Sequence, residues 1–322
     1  MMPPLSPPDW RDRIAGREVV VSVSGGKDST AVCIALESAG VPFRAVTMDT
    51  GWEAAETYEY LHGPWADRFG APEVLRVGEP LPAGYEAAVL AIEAALGHES
   101  DMVRVCVRKG MLPSRLRRWC TDVLKVGPIR RYLQAVPGAV NAIGVRADES
   151  RSRADAEAWE PAPWNESVAV WRPLLRWTEA DVIAAHADAG MPPNPLYLRG
   201  ARRVGCWPCV MARKGEIAHI ATRDPGRVRA LAMLEELVTR VRMDRSGDAR
   251  PAGWFQNPRP RRDADGRLYP GEGACWPIGR VVDWATTSDQ LDLYGELYGD
   301  DASCMRWGLC EHPDDTTTLE AP

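Results

Sequence analysis

The stretch VVVSVSGGKDST, Val19 to Thr30, constrains the fold of this chain more than any other. Val19 to Val23 is a β-branched apolar run, the pattern of a strand buried on both faces of a parallel sheet. It stops at Ser24-Gly25-Gly26. From Ser29 onward Ala31, Val32, Ala35 and Leu36 recur at helical spacing, and Gly40 follows as a C-terminal cap. The reading is strand, glycine turn, helix. Such a turn brings backbone N–H groups close to an anion, and the helix N-terminus adds partial positive charge, so the turn suits phosphate or pyrophosphate. A Walker A loop has a longer spacer before its Gly-Lys pair than Gly25-Gly26-Lys27 allows. A kinase or GTPase loop is disfavoured.

The same pattern recurs downstream. Arg44 to Met48 reads as a second strand ending at Asp49-Thr50-Gly51, and the carboxyl end of a strand in an open parallel sheet is where ligands bind. Asp49 as a helix cap is the alternative. Residues 84 to 96 read as a helix. AVNAIGVRADESRSR, residues 139 to 153, reads as a strand followed by a polar loop in which Arg146 and Arg153 offer forked donors to phosphate or sulfate. An ordinary surface loop is the alternative there. Thr178 is an expected N-cap, with Asp181 in the first turn and Gly190 at the end. Val228, Leu231, Leu234, Leu237 and Val238 mark one side of a later helix, and residues 246 to 274 read as a long loop. Thr287 and Gln290 have capping-box spacing, and the final residues are polar.

At 322 residues, with 45% apolar and 26% charged residues, the chain has the make-up of a globular protein with a real core. The start MMPPLSPPDW lacks the basic and apolar regions of a signal peptide, so a cytoplasmic protein is expected. A net charge of −6 argues against a nucleic-acid binder over the whole surface. One segment departs from this balance. Arg104, Arg108, Lys109, Arg115, Arg117, Arg118, Lys125, Arg130 and Arg131 crowd together with only Asp101 and Asp122 as acids, forming either an anion-binding face or a solvated helix face. Eight cysteines in such a chain point to metal binding or catalysis rather than to disulfides, except that Cys33 reads as core packing. Cys206 and Cys209 form a CxxC, whose spacing lets two thiolates reach one metal centre; a redox pair or half of a zinc site are the other readings.

Residues 24 to 29, SGGKDS, resemble the PP-loop of the ATP pyrophosphatases, a superfamily that includes sulfonucleotide reductases, tRNA-thiolating enzymes and adenylating amidotransferases. The resemblance, over roughly residues 18 to 215, extends to Asp49-Thr50-Gly51, to Arg118-Trp119-Cys120-Thr121 with Leu124-Lys125 and Pro128, and to Gly144, Arg146, Glu149, Ser150 and Arg153. It also takes in Pro195-Leu196-Tyr197 and Gly205-Cys206-Trp207-Pro208-Cys209. It implies an α/β fold, a doubly wound parallel sheet of the adenine nucleotide alpha hydrolase-like (HUP) type, with a mainly helical and irregular C-terminal extension. The expected division is an N-terminal segment 1–17, a PP-loop domain 18–215 and an extension 216–322. It further implies that Ser24, Gly25, Gly26, Lys27, Asp28, Ser29 and Thr30 hold the nucleotide phosphates with Mg²⁺. Asp49, Thr50 and Gly51 would lie beside the adenosine, with Gly144, Arg146 and Arg153 at the anion.

For the cysteines, the resemblance to adenylyl-sulfate reductases implies a [4Fe-4S] cluster on Cys120, Cys206 and Cys209, with zinc as the lesser alternative. In those reductases a cysteine pair stands where this chain has Trp119-Cys120, so the ligation differs. Cys275, Cys304 and Cys310 are candidates for a fourth ligand, Cys275 being chosen; alternatively one iron is left open. Two chemistries follow. One is ATP cleavage to AMP and pyrophosphate, using Lys27 and Asp28, to adenylate an acceptor such as a nucleic acid for sulfur transfer, with a cysteine desulfurase as sulfur donor. The other is thioredoxin-dependent reduction of adenylyl sulfate or its 3′-phosphorylated form (PAPS), with Cys310 as the catalytic thiol. Gly308-Leu309-Cys310-Glu311-His312 only approximates the reductases' motif. The intact Lys27-Asp28 favours ATP cleavage. A non-catalytic nucleotide-sensing module is a third reading.

Overall fold

The computed structural model describes residues 2–149, 151–256, 265–266 and 275–287. Ser150, Gln290, Cys304 and the segment from Gly308 to His312, including Cys310, lie outside the described residues.

A six-stranded sheet organises the N-terminal two thirds. Its strands are β1 (Val19–Val23), β2 (Arg44–Met48), β3 (Glu73–Leu75), β4 (Val140–Ile143), β5 (Trp159–Ala162) and β6 (Asn165–Trp171), in the order β3-β2-β1-β4-β6-β5. Every pairing is parallel except β5 with β6. β1 is central, with Val20 opposite Arg44 on one side and Asn141 on the other. That position explains its unbroken apolar run: Val20 and Val21 are wholly buried, and each such valine contributes about 1.5–3 kcal/mol. The strand order reverses between β1 and β4, and this switch point is where a doubly wound sheet opens a crevice for ligand.

The helix after β1 runs Lys27–Ser38, two residues earlier than the apolar spacing indicated. Lys27 and Asp28 carry no hydrophobic signal, so periodicity alone cannot detect that first turn. Helices Glu86–Leu96 and Glu179–Asp188 match expectation, the second with its capping box: Thr178 Oγ accepts from Asp181 N at 3.2 Å, and the Asp181 carboxylate accepts from Thr178 N at 2.7 Å. A helix Asp101–Lys109, capped by Ser100, occupies part of the basic segment. The chain then winds through Trp119–Thr121, a π-helical turn Asp122–Val126 and the helix Gly127–Gln134.

Two cores result. One joins β1, the Lys27–Ser38 helix, Trp171 and Trp177, with Trp10 from the N-terminal residues stacked on Trp171 at 5.5 Å. The other gathers Met102, Val103, Cys106, Trp119 and Leu124 against Leu231, Leu234 and Val238 of the helix Pro225–Ser246. Phe255–Gln256 (β7), inside the stretch read as loop, pairs with Cys275–Trp276 (β8) just beyond its end. No helix among the described residues is long and apolar enough to cross a membrane.

Candidate active site

The turn at residues 24–29 closes on itself and is gripped from three sides. Ser29 Oγ accepts from Ser24 N at 3.2 Å and donates to the Gly26 carbonyl at 3.0 Å. Asn194 Nδ2 donates to the Gly25 carbonyl at 3.2 Å, and Tyr197 Oη accepts from Lys27 N at 3.1 Å. His186 Nε2 lies 2.9 Å from the Lys27 carbonyl oxygen. Burial lowers the pKa of His186, so the neutral ring is favoured beside the buried lysine. Thr30 is fully buried.

Lys27 is only 7% exposed, and its Nζ stands 3.3 Å from both Asp28 Oδ2 and Glu179 Oε1. Asp28 is shared: its other oxygen accepts from Arg146 Nε at 2.5 Å. Arg146, itself buried, also pairs with Asp148, so the end of β4 is clamped to the loop. Gly144 makes that approach feasible. A Cβ there would lie 2.6 Å from Asp28 C and Ser29 N, closer than real contacts allow. Arg153 pairs with Glu149, and burial together with the charges of Arg203, Arg118 and Arg146 lowers its pKa.

At the end of β2, Asp49 accepts from Gly51 N, Tyr58 Oη and Arg76 Nε at 2.8, 2.7 and 2.6 Å. Gly51 has φ +64, and a Cβ on it would meet Ser100 Cα at 2.5 Å. Only glycine satisfies both conditions. The neighbouring Glu53 is buried and accepts from Thr50 N and Oγ1 and from Trp52 N. It also forms the bridge to the cysteine loop: Glu53 pairs with Cys206, and Trp207 N donates to Trp52 O at 2.8 Å. Ser24, Asp49, Glu53, Tyr58 and Lys125 line one pocket, whose apolar wall includes Val23, Met48 and Leu61. The turn at residues 24–29, the Asp-Thr-Gly turn and the lysine of the π-helical turn thus open on the same space.

Lys125 connects this pocket to the thiols. Its Nζ stands 3.9 Å from Glu53 Oε1, and the Cys206 and Glu53 charges raise its pKa. Burial pushes the Cys206 thiol up to about 12 against the lowering effect of Lys125, and Cys209 and Cys120 act on it in the same direction as burial. Cys120 in turn responds to Cys209 and Lys125. From two separate chain segments, Cys120, Cys206 and Cys209 therefore lie near enough to feel one another's charge, packed against one core. Cys275 is not brought to this group: it sits on β8 against Gly253, and the charges that act on it are those of Glu235 and Arg242. Trp119 packs into the core. Cys106, for which the sequence suggested no role, is wholly buried in that same core and feels the charge of Cys120. Its place in an apolar helix offered no signal. Glu53, Tyr58, Glu179 and His186 were missed because each acts through a contact distant in sequence or made by an unremarkable loop.

Among the described residues, no group of three or more His, Cys, Asp or Glu side chains is gathered closely enough to hold a metal ion. The donor chemistry is that of thiolate ligation: Cys120, Cys206 and Cys209 pack against one core, and the charge of Lys125 opposes the rise in pKa that burial imposes on Cys120 and Cys206. Magnesium fits less directly, because both oxygens of Asp28 already meet cations. It would be held mainly by phosphate oxygens and water, its usual mode at a nucleotide.

The family described as phosphoadenosine phosphosulfate reductase domain matches residues 91–212, from the helix Glu86–Leu96 through the CxxC. An uncharacterized 37.8 kDa protein of Escherichia phage 186 is 32% identical over 327 residues, covering 91% of this chain and 96% of that protein. The adenosine 5′-phosphosulfate reductase of Burkholderia cepacia is 39% identical over 102 residues, covering 31% of this chain and 40% of the reductase. A phosphoadenylyl-sulfate reductase structure from Candida auris, a phosphate complex, aligns with TM-score 0.44 and 17% identity over 62% of this chain and 87% of that one. This chain belongs to the phosphoadenosine phosphosulfate reductase-like PP-loop family. Its α/β fold is the doubly wound sheet described above.

Proposed function

We propose that the chain binds ATP across the loop at residues 24–29 and cleaves it between the α and β phosphates, adenylating an acceptor that then takes up sulfur. The observation that carries this reading is Lys27. Its ammonium is buried at the loop with two carboxylates, Asp28 and Glu179, as ion-pair partners. A triphosphate brings negative charge to the same place and competes with those carboxylates for the lysine. Asp28, tied to Arg146, orients the loop while its backbone donors face the phosphates. The adenosine occupies the pocket beside Asp49 and Tyr58.

Cys120, Cys206 and Cys209 would hold the iron-sulfur cluster, and a bound cluster would supply thiolate-ligated iron able to carry sulfur. Lys125 holds a positive charge between those thiols and the nucleotide pocket. A second reading, reduction of adenylyl sulfate or PAPS, draws support from the family match, which spans the three cysteines and leaves the loop outside it. Product analysis separates the two. Anaerobically prepared protein with ATP and Mg²⁺ is expected to yield AMP and pyrophosphate. Inertness towards ATP, with sulfite formed from adenylyl sulfate and thioredoxin, would replace this reading by the second.

A further inference from the structure

Beyond the nucleotide pocket, the chain carries a projecting cationic turn. Ser114 and Arg117 exchange backbone hydrogen bonds, each 3.1 Å, and close a tight turn with Arg115 and Leu116 at its tip. Ser114 Oγ accepts a further bond from Arg117 N at 3.1 Å. The turn is therefore built rather than loose. Leu116 is 82% exposed, the highest value among the exposed large hydrophobic residues described, and Arg115, Arg117 and Arg118 around it are all exposed. A lone exposed leucine needs no explanation. One held out on a closed turn between arginines, next to Trp119-Cys120, is a different arrangement.

The charge continues towards the active site. Arg203, exposed on the cysteine loop, and Arg118 both act on Arg153, which lies beside Asp28. The inner guanidiniums are matched: Arg146 by Asp28 and Asp148, and Arg153 by Glu149. The outer ones are not. Among the described residues, Arg115, Arg117, Arg118 and Arg203 have no carboxylate partner, although the chain as a whole carries a net charge of −6. A mononucleotide in the pocket by Ser24, Asp49 and Tyr58 does not account for them, since none of the four lines that pocket. A ligand that serves both the pocket and this rim is an extended polyanion.

We propose that the rim formed by Arg115, Arg117, Arg118 and Arg203 docks a nucleic-acid strand, with Leu116 placed against an unstacked base. The arginines neutralise successive phosphates, and an apolar side chain on a rigid turn is the type of group that wedges between bases. The strand is thereby led towards the loop and the thiols. This names the acceptor class of the reading above and rests on that reading for the reaction, though not for the binding.

The test is fluorescence anisotropy of the full-length protein with a labelled single-stranded DNA or RNA over a range of salt concentrations. Wild type is expected to bind, with affinity falling steeply as salt rises. The double variant Arg115→Ala/Arg117→Ala should bind at least about tenfold more weakly at low salt. Its logarithmic salt slope should be shallower by about 1.4, since each phosphate that is no longer neutralised removes roughly 0.7. Leu116→Ala should bind several-fold more weakly with an unchanged slope. Absence of wild-type binding at low salt, or variants that bind as wild type does, would overturn the proposal. So would polyglutamate displacing the strand as well as unlabelled oligonucleotide does, which would assign the rim to an acidic protein. ATP binding, followed calorimetrically on the same protein, separates the two claims: strand binding without ATP binding leaves the rim standing and removes the ATP reading, and the converse result does the reverse.

Discussion

The glycine loop at residues 24–29 and the thiol group occupy neighbouring ground and are built in opposite ways. The loop is one continuous run of residues, held by its own backbone and by polar side chains that converge on it: Asn194, Tyr197, His186 and Arg146. The thiols come from two segments distant in sequence, and hydrophobic packing under Cys120, Cys206 and Cys209 holds them together. Damage to the loop should therefore remain local to nucleotide chemistry, whereas damage to the thiol group should spread through the core that Trp119, Leu124 and the helix Pro225–Ser246 share. Glu53 and Lys125 are where the two meet.

The sharpest way to break this contrast is Lys27→Ala. Pyrophosphate release is expected to fall about 10²- to 10³-fold, the usual loss for a charge-stabilising group, while bound iron stays at the wild-type level. If iron is lost in parallel, the two regions are not separable. The converse is Cys206→Ser, expected to remove visible absorbance and most of the iron with ATP binding retained. Cys275→Ser should leave iron unchanged; a loss comparable with that of Cys206→Ser would return Cys275 to the ligand set.

Gly144→Ala probes the clamp between β4 and the loop. The added methyl group would press on Asp28 and Ser29, at an expected cost of about 1–3 kcal/mol in urea unfolding and with weakened ATP affinity. Unaltered stability and affinity would mean that the loop tolerates displacement. The smallest effect concerns the core under the thiols. The Glu235 carboxyl accepts from Trp254 N and Ile278 N, and burial pushes its pKa up to about 7 from the ordinary 4.5. Because the folded value is the higher one, the fold favours the protonated form. This contribution is complete below about 4.5 and is lost as pH rises through about 7. Comparing Glu235→Gln with wild type across that window should show the difference in stability narrowing or reversing as pH rises, and parallel curves would remove Glu235 as its source.

How much of each region was legible follows from how it is built. β1, its glycine turn and the strand Arg44–Met48 were readable because local sequence specifies them: a β-branched run, a glycine pair and a run ending at Asp-Thr-Gly. Periodicity does not reveal the first helical turn because Lys27 and Asp28 are held there by ion pairs rather than by hydrophobic contacts. The convergence of Cys120 on the CxxC could be anticipated only from the family pattern. Residue type alone makes Cys275 a candidate fourth ligand, and nothing in its local sequence reveals that pairing of β8 with β7 places it near Glu235 instead. Cys106 was invisible for the complementary reason: on the helix Asp101–Lys109 it looks like any apolar residue.

The central claim is that one nucleotide pocket serves both regions, with Lys125 and Glu53 between the loop and the thiols. It is tested most directly by the rate at which a small alkylating agent labels Cys120, Cys206 and Cys209 in iron-free protein, read by mass spectrometry with and without ATP and Mg²⁺. The expected result is a change of several-fold on adding nucleotide that disappears in Lys27→Ala. Labelling rates indifferent to ATP, in a protein shown calorimetrically to bind it, would mean that the loop and the thiols are neighbours without being one site.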